Sequence, residues 1–358
     1  MTDVHSPIQI GTKTLRNRVT MAPTVKFYAG PDGMVTDEFV RHYEERAARG
    51  CALIVVEATC VAPEARLHPT QLGLWCDEQI EGHRRLAEAV HRHGALVIPQ
   101  IHHGGISTHP ECGPLTSPSA IRWREQEAAE LSLEDIARIR QQFVDAALRA
   151  KAAGYDGVQV HGCHSYLIND FASAINQRTD AYGGSAERRA RFGSEIIAAI
   201  REACGRDFII SARVSGCDPT VADAITTAEC YVAAGCDYLQ VSSGIAALDA
   251  IEHDDGLPYN RVAALGVKMH EHFRGRVPVS VVNGLRTVEK VRYMFEHDLT
   301  DTVDLGCGLL ADPAFTEAIL QDAPYVPCYN CPRCAFSAGH THPCPAMVRR
   351  GADPEQRF

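Results

Sequence analysis

The sequence predicts a closed (β/α)8 barrel over residues 1–318, followed by a short cysteine-rich extension over 319–358. Three observations carry this. Eight short β-type runs alternate with longer stretches of helical periodicity, the pattern of parallel β/α units. The first run leads into "MAPTVKFYAG", which lacks the G-x-G-x-x-G turn of an open dinucleotide-binding sheet. Hydrogen-bonding residues gather at the C-terminal ends of the runs, where such barrels build their sites.

The elements follow in order. "RVTMAP" (18–23) is the first strand, and a helix over 36–50 starts at the N-cap Thr36 and stops at Gly50. "ALIVVEA" (52–58) is a strand rich in β-branched residues, followed by a helix over 77–94 and the strand "ALVIPQI" (95–101). A long Gly-, Pro- and Ser-rich loop covers 104–120. Ser132 and Asp135 suit a capping arrangement for a helix over 132–154. Next come "DGVQVHG" (156–162), a helix over 185–205, "FIISARVSG" (208–216) and a helix over 226–235. "DYLQVSSG" (237–244), a helix near 259–274, "VPVSVVNG" (277–284), a helix over 287–297 and "TVDLGCG" (302–308) complete the eight units.

Composition narrows the function classes. With 45% hydrophobic and 22% charged residues, the 358-residue chain has the balance of a soluble globular protein. A formal net charge of −10 argues against nucleic acid as a partner. No run has the apolar length of a membrane span, and no secretory leader is visible, so a cytoplasmic location is expected. The 14 cysteines then read as reduced thiols. Cys51, Cys60, Cys76, Cys112, Cys163, Cys204, Cys217, Cys230, Cys236 and Cys307 are scattered singly, as small buried hydrophobes would be. Cys328, Cys331, Cys334 and Cys344 cluster in "CYNCPRCAFSAGHTHPC". Four such thiols suit an iron–sulfur cluster or a zinc ion, or stand as a tail of unligated thiols.

The strand ends carry Ala22-Pro23-Thr24, Glu57-Ala58, Gln100 with His102-His103, His161 with His164 and Tyr166, Arg213, Ser242-Ser243, Asn283-Gly284 and Gly306-Cys307-Gly308. "HGCHSYLINDF" (161–171) is the densest point. Two imidazoles and a phenol donate several hydrogen bonds to one anionic oxygen, and the phenol also suits protonation of a carbanion. A zinc site is the rival for the two histidines, without an obvious third ligand; satisfied loop histidines beside a core tyrosine are the plain alternative. Arg213, in an otherwise apolar strand, wants an anion or an electron-rich ring, or else an ion pair with Asp218 or Glu187. The glycines ending the last two strands stand where barrels bind phosphate.

Several segments together resemble the Old Yellow Enzyme family of flavin oxidoreductases, in the branch of 2,4-dienoyl-CoA reductase and trimethylamine dehydrogenase. They are "LRNRVTMAPT" (15–24), "DGMVTDEFVRHYEERAARGCALIVVEAT" (32–59), "IPQIHHGG" (98–105), "GVQVHGCHSYLINDF" (157–171), "NQRTDAYGGSAERRARF" (176–192) and "LLADP" (309–313). The resemblance implies non-covalent FMN at the barrel mouth. Pro23, Thr24 and Ala58 would line the flavin, and Gln100 would meet its pyrimidine edge. Arg213 would stand near N1 and O2, and Asn283, Gly284, Gly306 and Cys307 around the phosphate. His161 and His164 would hold a substrate carbonyl, with Tyr166 protonating the carbon opposite hydride delivery. The branch further implies a 4Fe–4S cluster on Cys328, Cys331, Cys334 and Cys344.

Three departures from the family pattern carry expectations. Cys307 stands where the family has a phosphate-gripping arginine, so FMN retention should weaken unless Lys26 or Arg286 substitutes. Val25 replaces the cysteine that bonds flavin covalently in trimethylamine dehydrogenase, so the flavin should dissociate. Larger members of the branch continue into nucleotide-binding domains, whereas this sequence ends at Phe358. Either NAD(P)H reduces the flavin at the mouth or a partner chain exchanges electrons through the cluster. The reading is an FMN-dependent ene-reductase acting on a small α,β-unsaturated carbonyl substrate, in a homo-oligomer. The alternatives are an N-methyl amine dehydrogenase and an electron-transfer subunit of a larger flavoprotein complex.

Overall fold

The computed structural model describes residues 3–332, 334 and 343–351. Eight parallel strands close into a barrel in sequence order. They are β1 (Val19–Met21), β2 (Leu53–Cys60), β3 (Leu96–His102), β4 (Gly157–Gly162), β5 (Ile209–Ser215), β6 (Tyr238–Ser242), β7 (Val279–Val282) and β8 (Thr302–Leu305). Each strand is buried on both faces, which is why it reads as a nearly continuous apolar run. The expected barrel is therefore the observed one.

An antiparallel hairpin, Ile8–Ile10 with Lys13–Leu15, precedes β1. Its Ile10 and Leu15 pack on Leu53, Val55, Ile98, Ile209 and Tyr238, residues near the starts of the barrel strands. One end of the barrel is thereby plugged with apolar side chains. The other end remains for polar ones.

The outer ring comprises α1 (Asp37–Ala48), α2 (Ile80–His91), α3 (Leu133–Ala152), the short α4 (Leu167–Ala172), α5 (Ala186–Cys204), α6 (Val221–Ala233), α7 (Arg261–Phe273) and α8 (Val288–Glu296). Caps define their starts: the Thr36 side chain accepts from Phe39 N–H, and Ser132 and Asp135 form the expected capping box. Helix α6 begins five residues before the expected Thr226, because Thr220 accepts from Asp223 N–H and starts the helix there. The end of the loop read over 104–120 and the segment after it form a small three-stranded sheet, Thr116–Ser117, Ile121–Trp123 and Gln126–Glu130. Its hairpin turns on Arg124 and Glu125, both left-handed at φ 46° and 69°. Such turns are usually announced by Asn or Gly, and neither is present here.

Beyond β8 lie α9 (Cys307–Ala311), α10 (Phe315–Gln321) and α11 (Pro345–Arg349). Phe315, Ala318 and Ile319 of α10 are part of the main core. Asp312 ties the extension down: its carboxylate accepts from Val326 N–H at 2.9 Å and pairs with Arg350 at 3.1 Å. Among the described residues, no helix is long and apolar enough to cross a membrane.

Candidate active site

A pocket of about 340 Å³ opens at the C-terminal ends of the barrel strands, within the size range of small-molecule sites. The residues singled out from the sequence meet there. Pro23 and Thr24 follow β1, Ala58 lies in β2, Gln100 in β3, His161 in β4 and Arg213 in β5. His164 and Tyr166 come from the turn after β4, Asn283 and Gly284 from the turn after β7, and Gly306 and Cys307 from the end of β8.

Strand register explains the convergence. Arg213 lies opposite His161 on β4 and Gln240 on β6, so these positions share one level of the barrel. Gln100 lies opposite Gln159 and donates to its Oε1 at 2.7 Å. Gln159 in turn donates to Ser211 Oγ at 3.1 Å. This chain fixes the Gln100 amide.

After β4 the backbone doubles back. His164 and Ser165 are both left-handed, at φ 61° and 59°. Non-glycine residues pay strain there, which marks functional turns. Ser165 N–H donates to Asn169 Oδ1 at 2.9 Å and Tyr166 N–H to Cys163 O at 3.3 Å, holding the turn. The His161 and His164 rings come within 5.2 Å, centroid to centroid, and the Tyr166 ring lies 4.4 Å from His161.

The environment keeps these groups uncharged. Burial, with Arg213 nearby, holds both His161 and His164 well below the usual imidazole range. Neutral imidazoles each carry one N–H to donate. Burial also raises the Tyr166 phenol, so it stays protonated and able to give a proton.

Arg213 donates to Ser242 Oγ at 3.4 Å, while its buried Nε has no partner. Neither Asp218 nor Glu187 supplies that partner: Asp218 accepts instead from Asn169, Ile245 N–H and Ala246 N–H. An orphaned guanidinium nitrogen facing a pocket fits an anionic ring edge.

At the opposite end, Asn283 and Gly284 are left-handed at φ 82° and 75°. A Cβ at Gly306 would meet Thr24 Oγ1 at 3.3 Å, so the glycine leaves a cradle beside the strand end. Arg286 lines the same end, and its Nε is buried without a partner. The two orphaned guanidinium nitrogens and the glycine cradle fit an anionic cofactor such as a flavin mononucleotide.

Of the lining residues, Arg286 was expected from the sequence as a substitute cation, and Asp304 was not singled out. Asp304 lies within β8, where burial raises its carboxyl to about 6 against a hydrogen bond from Gln240. A charged residue inside a β-run was the available clue.

Behind this pocket, Cys328, Cys331, Cys334 and Cys344 line a second cavity. Arg286 and Cys307 line both cavities. Hydrogen bonding to Cys328 and the charge of Arg286 hold the Cys307 thiol below its ordinary value. Among the described residues, no three of the tail thiols come within 4.8 Å of one another.

The sequence profile of the NADH:flavin oxidoreductase / NADH oxidase family matches residues 3–325. The chain is 35% identical over 323 residues to an NADPH dehydrogenase of Bacillus subtilis (strain 168), covering 87% of this chain and 92% of the relative. It is 36% identical over 328 residues to an NADH oxidase of Thermoanaerobacter brockii, covering 87% of this chain but only 50% of that protein. A solved 2-naphthoyl-CoA reductase in complex with 2-naphthoyl-CoA superposes with a TM-score of 0.84 at 25% identity, over 93% of this chain and 54% of its own. The chain thus spans about half the length of two of these relatives.

Proposed function

The chain belongs to the NADH:flavin oxidoreductase / NADH oxidase family, of Old Yellow Enzyme type, and on that premise we propose that it is an FMN-dependent NAD(P)H oxidoreductase reducing the C=C bond of an α,β-unsaturated carbonyl compound. The observation that carries the reading is the convergence of two neutral imidazoles, a protonated phenol and an unpartnered guanidinium nitrogen on one pocket.

Bound FMN would supply the two-electron chemistry. Pro23, Thr24 and Ala58 would line it, and Gln100 and Arg213 would address its polar edge. Gly284, Gly306 and Arg286 would receive the phosphate. His161 and His164 donate to the substrate's carbonyl oxygen and stabilise the negative charge that grows there. Tyr166 gives its phenolic proton to the carbon next to the carbonyl as general acid.

The tail supports a second cofactor. Cys328, Cys331, Cys334 and Cys344 would hold a four-iron cluster, which supplies single-electron transfer. Arg286 between the two cavities suits the negative charge of a thiolate-bound cluster as well as that of a phosphate. That arrangement keeps open a second reading, in which an N-methyl amine is oxidised and electrons leave through the extension to a partner chain.

Anaerobic stopped-flow spectroscopy tests the first reading. Reduction of the FMN band by NADH or NADPH, followed by reoxidation with 2-cyclohexenone, is expected. Reduction by methylated amines, with no reoxidation by the enone, would overturn it in favour of the second.

A further inference from the structure

The turn after β4 carries a feature that enone reduction does not use. Cys163 lies between His161 and His164 in sequence and is fully buried beside them. Its Sγ stands 3.7 Å from His161 Nδ1. One nitrogen from each imidazole and this sulfur all lie within 4.8 Å of one another. The third ligand that the two histidines lacked in the sequence is therefore present.

The distances can be set against a real coordination sphere. Tetrahedral zinc binds sulfur at about 2.3 Å and imidazole nitrogen at about 2.0–2.1 Å, which places S and N about 3.6 Å apart. The His161–Cys163 separation already matches. Contraction of up to about 1.5 Å elsewhere completes the trio, within the reach of side-chain rotation. The His164 ring is held by its other nitrogen, since Nε2 meets Ser242 Oγ at 2.8 Å and leaves Nδ1 for a ligand. Ligating imidazoles are commonly oriented in this way.

We propose that His161, Cys163 and His164 form a three-ligand site for a soft divalent cation of the zinc class, with its fourth position open to the pocket. Binding releases the thiol proton to solvent and forms a metal–thiolate bond, with no change of oxidation state. Arg213, beside the site, opposes the ion's charge, so an anion or hydroxide suits the fourth position. With both imidazoles engaged, the carbonyl-holding role of the pair is blocked, and zinc acts as a reversible inhibitor. The metal site stands apart from the flavin assignment; its inhibitory effect rests on the ene-reductase reading.

Cobalt(II) reports such a site directly, because a thiolate ligand adds charge-transfer bands and tetrahedral geometry intensifies the d–d bands. The protein as purified is titrated anaerobically with CoCl₂, and difference spectra cancel the flavin and any tail-cluster absorption. Wild type and Cys331→Ala are expected to show both sets of bands, removed by equimolar zinc. Cys163→Ala, with its FMN content and circular dichroism checked for intact folding, is expected to lose the charge-transfer bands. Unchanged bands in Cys163→Ala, or their loss in Cys331→Ala, would overturn the proposal. A protein that binds cobalt in this way but carries no FMN would sink the flavin reading alone.

Discussion

At the scale of single residues, the site separates proton delivery from cofactor binding, and each half makes its own prediction. Tyr166→Phe keeps the ring that packs 4.4 Å from His161 and 5.1 Å from His102 and removes only the hydroxyl. Reduction of the flavin by NAD(P)H should be unchanged, while enone-dependent reoxidation slows by roughly 10²–10⁴-fold, the usual size of a general-acid contribution. Equal slowing of both half-reactions would refute the assignment. Arg286 makes the second prediction. A charge-assisted hydrogen bond contributes about 1.5–3 kcal/mol, so Arg286→Ala should weaken FMN by about 10- to 150-fold and leave riboflavin within about twofold. Flavin fluorescence titration reads both ligands, and parallel losses would show that Arg286 does not meet the phosphate. These residues were unequally legible. His161, His164, Tyr166 and Arg213 stood out because polar groups at strand ends contrast with apolar strand interiors. Asp304 and Cys163 did not. One hides inside a strand, and the other belongs to a residue type that is usually inert when buried.

At the scale of elements, strands were more legible than the pieces between them. A strand buried on both faces reads as a mostly apolar run with few polar positions, so sequence alone bounds it to within a residue or two, as for β4 and β5. Short elements lack that redundancy. Helix α4 has six residues, too few to show a period, and the hairpin at Arg124 and Glu125 lacks the expected turn residues. Asp312 is a buried polar anchor of the extension, beside the packing of Tyr325 on Phe315. Asp312 is buried, accepts from Ala314 N–H at 3.0 Å and Val326 N–H at 2.9 Å, and pairs with Arg350. Asp312→Ala leaves two backbone donors and a guanidinium without their acceptor, a loss above 1.4 kcal/mol and so tenfold or more in local opening. In metal-free protein the tail thiols should then react at least tenfold faster with a disulfide reagent, while the thermal midpoint of the barrel moves far less. Unchanged thiol kinetics would mean that other contacts hold the extension.

At the scale of the whole molecule, two sets of buried titratable groups tie stability to pH with opposite signs. Burial lowers His83 to about 4 and His102 and His103 to about 3. The unfolded chain takes up these protons from about pH 6.5 downward, before the folded chain does. Each histidine therefore contributes stability that is complete above pH 6.5 and lost as pH falls toward 4 and 3, at about 1.4 kcal/mol per pH unit. Buried carboxyls act with the opposite sign. Burial raises Asp170 to about 8, Glu57 to about 7 and Asp304 to about 6. Their contribution is complete below about pH 4 and is lost as pH rises through those values. Between pH 4 and 6 the two sets largely offset. His42, His161 and His164, also lowered by burial, tilt that interval upward toward pH 6.5. Above pH 6.5 the histidine gain ends while the folded chain still holds the Asp170 and Glu57 protons that the unfolded chain has released, which lowers stability toward pH 8. Cys307, lowered to about 6, and Lys26, lowered by burial, act with the opposite sign in the same interval. Urea midpoints of wild type and Asp170→Asn, measured from pH 4 to 9, isolate the Asp170 contribution. Asp170→Asn mimics the protonated acid, with its amide oxygen still able to accept from Ile106 N–H, so wild type should lose stability relative to the variant steadily from about pH 4 to pH 8. A difference between the two midpoints that does not change with pH would show that Asp170 is ionised in the fold and that its burial is compensated by other groups.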